Sequence, residues 1–194
     1  LLSSKKKYGL NKSRTIGISK SSLKFINNNI INIEKNVWKL KRIEIYSENL
    51  ANEKLLYFEN NEKEIFSIIK NYHFFENLKK ILLKSKYFKI INLKENFSEL
   101  KKYNLVINTD QLSYITKKYF YKKIEKEYNA TAYTTVIKHK RIQNKEAVQI
   151  FTKIGPLAFL PISETETSIV YSIQKSSNKT NDKIKSLIHK YNLK

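Results

Sequence analysis

One segment differs from the rest of the sequence: Phe151-Thr152-Lys153-Ile154-Gly155-Pro156-Leu157-Ala158-Phe159-Leu160-Pro161-Ile162. It contains both prolines of the chain, and they bracket one short apolar run. Proline lacks a backbone N–H and is normally kept out of central strands, so the pattern favours an edge strand in a hairpin. A strand framed by Pro and Gly, with small Ala158 at its centre, also suits a surface that another group approaches closely. The residues alone leave these two interpretations open.

Further strand-like runs flank this segment, and turn-rich connections join them. The four strands predicted for the last third of the chain are 130–138, 148–153, 157–162 and 168–174. The short connections, at Gly155-Pro156 and at Glu164-Thr165-Glu166, predict an antiparallel meander. Glu164 and Glu166 are expected to be solvated turn charges rather than an acid/base pair. A final amphipathic helix is predicted, with its cap near Asn181 or Asp182.

The first two thirds of the sequence combine helices with short strands. Ser21 or Ser22 is predicted to cap a first helix, and Asn71 to cap a longer one with apolar residues at helical spacing. Strand-like alternation from Trp38 to Tyr46 slips at Lys41-Arg42, which predicts a β-bulge. Other strands are predicted at 55–58, 88–93 and 105–108. Together these elements indicate an α/β protein, with an α+β arrangement within this chain.

The 105–108 strand is a short apolar run, so it is expected to be buried on both faces. Residues 115–127 interleave tyrosine with lysine, as nucleic-acid stacking surfaces do. We favour a solvated helix or connector there, with Phe120 and Ile124 packed inward.

The composition excludes several classes of site. No cysteine is present, so disulfides and thiolate metal sites are excluded, and the three scattered histidines do not favour zinc. The three glycines, Gly9, Gly17 and Gly155, cannot form a G-x-G-x-x-G dinucleotide loop. No apolar run is long enough to cross a bilayer. The sequence begins at Leu1-Leu2 without Met, so we expect it to be a piece of a longer protein.

The net charge of +21 would by itself suggest an anionic partner. However, only three of the 38 basic residues are arginine, and lysine is a poor choice for bidentate recognition of phosphate. The excess of Lys, Asn, Ile and Tyr is also typical of proteins from A+T-rich genomes. Nucleic acid is therefore not the favoured partner, and RNA binding stays an alternative hypothesis.

The segment 151–162 resembles the F-T-x-x-G-P-L-A-L-L-P-L motif of the ubiquinone-biosynthesis hydroxylases, which belong to the p-hydroxybenzoate-hydroxylase-like flavoprotein monooxygenases. The resemblance is strongest over 128–173, where Tyr128-Asn129-Ala130-Thr131-Ala132 is similar to Y-x-Q-x-A and Ser168-Ile169-Val170-Tyr171-Ser172 to S-L-V-W. Weaker resemblances cover nearly all of the remaining chain. They are 13–19 to D-x-R-x-x-A-L-S, 69–71 to the start of a V-x-N/R-x-x-L helix, and 103–110 to Y-D-L-V-I-G-A-D.

This resemblance implies an FAD-dependent monooxygenase that hydroxylates the aromatic ring of a polyprenylphenol in ubiquinone biosynthesis. NAD(P)H or another electron donor would reduce the flavin, and O₂ would supply the oxygen atom. By position, Arg14 matches the family arginine that contacts FAD, and Asp110 matches an acid near the flavin. An apolar wall would bind the substrate. Its implied members are Phe151, Gly155, Pro156, Leu157, Ala158 and Leu160.

The resemblance also implies a division of the chain. It gives 1–34 as part of the FAD-binding domain, 35–68 as substrate-domain strands, 69–127 as FAD-domain helix and strands, 128–175 as the substrate-domain antiparallel sheet, and 176–194 as a helix. The implied location is the cytoplasm, with peripheral association at the inner membrane or within a ubiquinone-biosynthesis complex.

Some family features differ or fall outside the chain. Gln111 stands where the family's A-D-G motif has glycine, and the spacing to Ser113 is one residue short. A degenerate, non-catalytic relative is therefore a further hypothesis. The G-x-G-x-x-G half and the later G-D motif would lie before Leu1 and after Lys194. We therefore expect this chain alone not to hold FAD or turn over.

Overall fold

The computed structural model describes residues 2–3, 12–48, 53–61, 63–92, 97–110, 113–120, 122, 124–174 and 181–191. The strands in this part are β1 Leu2–Ser3, β2 Thr15–Ser19, β3 Val37–Leu40, β4 Arg42–Ser47, β5 Lys54–Glu59, β6 Phe66–Lys70, β7 Ile91–Asn92, β8 Ala130–Lys138, β9 Glu146–Thr152, β10 Gly155–Pro161 and β11 Glu166–Gln174. The helices are α1 Lys20–Asn29, α2 Asn71–Lys84, α3 Tyr114–Tyr119 and α4 Asn181–Tyr191. The 3₁₀ turns include Glu34–Asn36 and Phe97–Lys102. The mixture of helices and sheets confirms the α/β fold class.

The chain divides into two compact units. One comprises residues 1–8 and 83–128, and within its described residues β1 and β7 form a parallel pair. The other comprises residues 9–82 and 129–194 and contains the two larger sheets. The domain boundaries that follow from the family resemblance stay a prediction. No helix in the described ranges combines the length and the apolar character that a membrane crossing needs.

The larger sheet has six strands in the order β5-β4-β9-β10-β11-β8. All four strands predicted for the last third are present, and β9, β10 and β11 form the predicted antiparallel meander. The strand β8 pairs with β11 instead of β9, and β4 lies parallel to β9 on the other side. The sheet therefore contains both parallel and antiparallel strand pairs, and the order of its strands in space differs from their order in the sequence.

The edge-strand interpretation of the proline-bracketed segment is wrong. The strand β10 pairs with β9 on one side and with β11 on the other, so it lies inside the sheet. Its prolines are its second and last residues, Pro156 and Pro161, so ladder hydrogen bonds are lost only near its ends. An interior strand can therefore carry both prolines.

Side chains alternate between the two faces of this sheet. On one face, Leu157 and Phe159 pack with Ile188 and Tyr191 of α4 in the largest buried cluster. We call this the helix face. On the other face, which we call the opposite face, Leu160 packs against a cluster of Leu40, Ile68 and Ala147.

The smaller sheet has the order β2-β6-β3, and α1 packs against it. The first predicted helix is confirmed, but its cap is Ser19 rather than Ser21 or Ser22. Ser19 ends β2 in an extended conformation, and its Oγ accepts a hydrogen bond from the Ser22 backbone N–H at 3.2 Å. The predicted helix at Asn71 is also present, and Asn71 is its first residue.

The predicted bulge at Lys41-Arg42 is a change of sheet. The strand β3 belongs to the smaller sheet and β4 to the larger one, so a single residue, Lys41, separates them. Its backbone N–H donates to the carbonyl of Lys145 at 2.9 Å. The apolar alternation changes phase here because Leu40 and Ile43 are inward-facing residues of two different sheets.

Two predictions for the middle of the chain are wrong. Residues 105–108 form no strand, and Leu105 and Ile107 are 77% and 79% exposed instead of buried on both faces. Phe120 and Ile124 are 60% and 103% exposed, so they do not pack inward. A short apolar run is buried only when other elements cover it, and no described strand pairs with these segments.

Other predictions fall partly outside the described residues. The 55–58 strand is present as β5, one residue longer at each end. Of the 88–93 strand, only Ile91–Asn92 is a strand, and Leu93 is not described. The helix α4 begins at Asn181, but the residues before it are not described, so its predicted cap stays a prediction.

An ion pair joins the two larger sheets. Lys70 Nζ, at the end of β6, lies 2.7 Å from Glu166 Oε2, at the start of β11, and both side chains are half-buried. The hydrogen bond from Lys70 is the main cause that lowers the pKa of Glu166. Glu166 is therefore a structural residue and not a solvated turn charge. Glu164 instead pairs with Arg141, whose side chain is 79% exposed.

We predict that Gly155→Ala destabilises the fold by about 3 kcal/mol. Gly155 has φ +143, which L side chains rarely adopt, and a Cβ there would lie 1.9 Å from the carbonyl oxygen of Ser172. Urea unfolding monitored by circular dichroism measures the loss. Gly17→Ala is the matched control, because its Cβ would lie 2.5 Å from the far end of the Phe66 ring, and a side chain can move away more easily than a backbone carbonyl. Equal losses in the two variants would contradict this account.

We predict that Glu166→Gln lowers the free energy of unfolding by about 0.5 kcal/mol at neutral pH, because the pair is only partly buried. The folded-state pKa of Glu166 lies below its ordinary value of 4.5. The carboxylate therefore stabilises the fold above that pH, and the stabilisation is lost as the pH falls through the lowered value. The difference between wild type and variant should shrink below pH 4.5. Glu164→Gln, in the exposed pair, should change the unfolding free energy much less.

Candidate functional site

The structure distributes the six predicted substrate residues over both faces of the larger sheet. Phe151, Pro156, Ala158 and Leu160 belong to the opposite face, because Phe151 pairs with Pro156 and the three β10 residues alternate with the buried ones. Leu157 belongs to the helix face and is fully buried. Gly155 has no side chain and is the first residue of β10. The opposite face therefore carries the candidate wall without Leu157.

The strand pairing shows which residues surround Ala158. Val170 of β11 is its partner on one side and Gln149 of β9 on the other. Thr134 of β8 is in turn the partner of Val170, so these side chains form one row across the opposite face. Phe151, one step along the sheet, is 45% exposed. The side chains at the centre of this row are thus small or apolar, and an exposed aromatic ring lies beside them.

Arg14 lies next to the same face. Its two neighbours are tied to the sheet: Ser13 Oγ is 3.3 Å from Thr134 Oγ1, and Thr15 Oγ1 is 3.2 Å from Ser168 Oγ. The Arg14 carbonyl also accepts a hydrogen bond from the backbone N–H of Asn71 at 3.0 Å. The Arg14 side chain itself is exposed. Its backbone is therefore fixed beside the opposite face, while its guanidinium is open to solvent.

Asp110, the other predicted cofactor residue, belongs to the other unit. Its carbonyl accepts a hydrogen bond from Thr116 Oγ1 at 2.5 Å, and Ser113 caps the short helix α3 that follows. The side chain of Asn108 donates to Thr116 Oγ1 at 2.7 Å and accepts from Ser113 Oγ at 3.1 Å. These bonds hold the Asp110 backbone in a turn. Gln111 lies outside the described residues, so the effect of this non-glycine residue stays a prediction.

Sequence reasoning missed a cleft of about 420 Å³ on the helix face. Its floor is apolar, with Val148, Phe159 and Pro161 among its residues. Its polar rim includes Glu44, which is 6% exposed and accepts hydrogen bonds from Tyr46 Oη at 2.7 Å and from Lys54 Nζ at 2.6 Å. No sequence motif reveals this cleft, because its members come from segments about a hundred residues apart.

A second polar group on the cleft rim is centred on Asn144. This buried amide donates to Thr167 Oγ1 at 3.0 Å and to the carbonyl of Ser163 at 2.9 Å. Nε2 of His139 lies 3.0 Å from the same Thr167 hydroxyl. The three side chains satisfy one another, so they stabilise the 139–144 connection rather than present an acid/base pair.

The end of α4 is held against the sheet by Tyr191. Its hydroxyl donates to Glu48 Oε1 at 2.5 Å, and the backbone N–H of Lys153 donates to Glu48 Oε2 at 2.8 Å. These hydrogen bonds lower the pKa of Glu48, that from Tyr191 most, while burial is the main cause that raises the pKa of Tyr191. The helix face is thereby closed at this end.

The described residues contain no cluster of His, Cys, Asp and Glu able to hold a metal ion.

No protein-family model matches the sequence, and the comparison with curated proteins gives no significant match. Solved structures do match. PqsL from Pseudomonas aeruginosa, described as a probable FAD-dependent monooxygenase, aligns at 9% identity with a TM-score of 0.63, over 92% of this chain and 54% of that one. A mutant of PqsL aligns at 13% identity with a TM-score of 0.64, over 86% and 52%.

The complex of PqsL with 2-aminobenzoylacetate aligns at 11% identity with a TM-score of 0.60, over 94% of this chain and 54% of that one. The chain thus spans about half the length of the structures that it matches. At these identities the match establishes the fold alone. The chain therefore has the fold of about half of a protein described as a probable FAD-dependent monooxygenase.

Proposed function

We propose that the chain is part of an FAD-dependent monooxygenase that hydroxylates the aromatic ring of a polyprenylphenol in ubiquinone biosynthesis. The observation that carries this proposal is the placement of Arg14 beside the sheet face that holds Pro156, Ala158 and Leu160. The fold shared with PqsL supports a flavin monooxygenase. The resemblance of segment 151–162 supports the ubiquinone pathway.

The residues present fit part of a flavin site. A guanidinium such as that of Arg14 suits a phosphate group, because it donates in a planar fork. The apolar side chains of the opposite face suit an aromatic ring, as the walls of small-molecule sites generally do. When bound, FAD would supply oxygen transfer from O₂ after reduction by NAD(P)H or another donor. In the proposed enzyme, Asp110 would also lie near the flavin.

The chain has no G-x-G-x-x-G loop. In the proposed enzyme, the loop that binds the pyrophosphate therefore belongs to a part of the full-length protein beyond these 194 residues. The chain aligns with about half of PqsL, which supports this division of the flavin site between the chain and the rest of the full-length protein. The present residues would contribute the arginine contact and the substrate wall.

The wall residues have separate roles in this proposal. The small side chain of Ala158 leaves room for a ring to approach the sheet closely, and Pro156 and Leu160 on either side present apolar surface. Phe151, 45% exposed, would contact the apolar substituent of the substrate. An apolar wall binds a prenylated phenol by removing its surface from water and excludes water from the reacting ring. Association with the inner-membrane surface or with a ubiquinone-biosynthesis complex would suit such a substrate.

We expect the full-length protein to purify yellow, with the absorbance of bound flavin. Arg14→Gln in that protein should lower the flavin content per chain about tenfold, since a charge-assisted hydrogen bond is lost. Absorbance spectra and protein quantification measure this ratio. Lys12→Gln, which removes an exposed charge two residues away, is the matched control and should retain flavin. A colourless wild-type preparation would contradict the proposal and favour a degenerate relative or an RNA-binding protein.

We expect Ala158→Phe in the full-length protein to retain flavin but to lower ring hydroxylation at least about tenfold, because the larger side chain fills the substrate space. Restoration of quinone synthesis in a hydroxylase-deficient host, together with product quantification, measures the activity. The same enlargement at exposed Ala132, on the outer strand of the same face, is the control and should leave activity near wild type. If both variants hydroxylate at the wild-type rate, Ala158 does not line the substrate site.

A further inference from the structure

The outer edge of β5 is exposed and apolar. β5 is the end strand of the larger sheet, and no other strand within the described ranges pairs with its outer edge. Four consecutive apolar residues, Leu55, Leu56, Tyr57 and Phe58, are 48%, 50%, 62% and 53% exposed. Natural edge strands usually carry a proline, inward charges, a β-bulge or a cover that prevents pairing. Between its two terminal charges this strand carries only a bulge at Leu55, described below, and its apolar residues on either side of the bulge remain a template for another strand.

The sequence of this strand has a two-fold charge pattern. It begins with Lys54, ends with Glu59, and is apolar between them. When two copies of such a strand run antiparallel, the basic end of each lies beside the acidic end of the other. Opposite charges directly across an antiparallel pair are stabilising. The strand is therefore complementary to itself.

A bulge places the two charges on the same face of the sheet. In the pairing with β4, Tyr46 is opposite Lys54 but Ile45 is opposite Leu56, so Leu55 is an extra residue. The extra residue shifts the alternation by one step. Lys54 therefore lies on the same face as Tyr57 and Glu59. The β4 residues that pair with these three all lie on the face opposite to that of Ile45. A regular strand would place Lys54 and Glu59 on opposite faces, and they could not meet across a two-fold axis.

We propose that β5 pairs with β5 of a second copy of this chain, antiparallel, around a two-fold axis at Tyr57. In this register Tyr57 faces itself, Leu56 faces Phe58 on one face, and Lys54 faces Glu59 on the other. The interface is isologous, as in most dimers. Main-chain hydrogen bonds provide the affinity, and the cross-strand pairs fix the register.

The charges of the interface join existing ion pairs. Lys54 Nζ is 2.6 Å from Glu44 Oε1, and an Arg42 nitrogen is 2.8 Å from Glu59 Oε2 within each copy. The second copy therefore extends an ordered network instead of immobilising free side chains. A six-residue edge buries little area. The dimer should therefore be weak, so that the fraction of dimer rises with protein concentration.

Site-specific cross-linking tests the register directly. The chain contains no cysteine, so Tyr57→Cys introduces the one thiol of the protein. Under mild oxidation this variant should form disulfide dimers about tenfold faster than Phe151→Cys, because pairing raises the effective concentration of the thiols. Phe151 is a suitable control because its exposure of 45% is similar. A mixture of Leu56→Cys and Phe58→Cys chains should form mixed dimers faster than either variant forms dimers alone.

The mass of the wild-type chain provides an independent readout. Light scattering should give a mass that rises toward the dimer with concentration, and Tyr57→Lys should remain monomeric with an unchanged unfolding midpoint. Equal cross-linking rates for Tyr57→Cys and Phe151→Cys would overturn the proposal. A monomeric mass for the wild type at every concentration would also overturn it, whether or not the protein binds flavin.

Discussion

The close approach of the Gly155 backbone to the carbonyl of Ser172 constrains the register of the central hairpin. A side chain at position 155 would overlap that oxygen, and φ +143 is accessible mainly to glycine. Because side chains alternate along a strand, a slip of one residue would exchange the two faces of β10. Leu157 would then leave the core, and Ala158 would enter it. The helix-face core and the candidate wall on the opposite face both depend on this one approach.

Long-range ties connect that sheet to the segment that holds Arg14. Two hydroxyl pairs, at Ser13 and Thr15, and the Lys70–Glu166 ion pair link the start of β2 and the end of β6 to β8 and β11. Each interaction is weak alone, but together they determine where the arginine lies relative to the wall. Polar contacts between the two sheets thus position a charged residue beside an apolar surface.

The sequence alone predicted the elements whose signal is local. The four strands of the last third and the helices at 20–29 and 71–84 follow from periodicity, which nearby residues decide. The sheet order did not follow, because the pairings of β8 with β11 and of β4 with β9 depend on distant partners. For the same reason the sequence could not show that the face of Leu157, rather than that of Ala158, packs against α4, or reveal the cleft near Glu44. The exposed 105–107 segment shows that apolar character alone does not predict burial.

The parallel pairing of β4 with β9 has a consequence during synthesis. β4 and β5 form a two-stranded ribbon whose next neighbour follows about a hundred residues later, as the contact of Arg42 with Glu146, 104 positions apart, illustrates. Isolated two-stranded ribbons are marginally stable in water. At common translation rates the ribbon would wait roughly 5 to 20 seconds for its neighbour. Throughout that interval an apolar strand is accessible to chaperones and to other nascent chains, so the rate of elongation bears on the yield of folded protein.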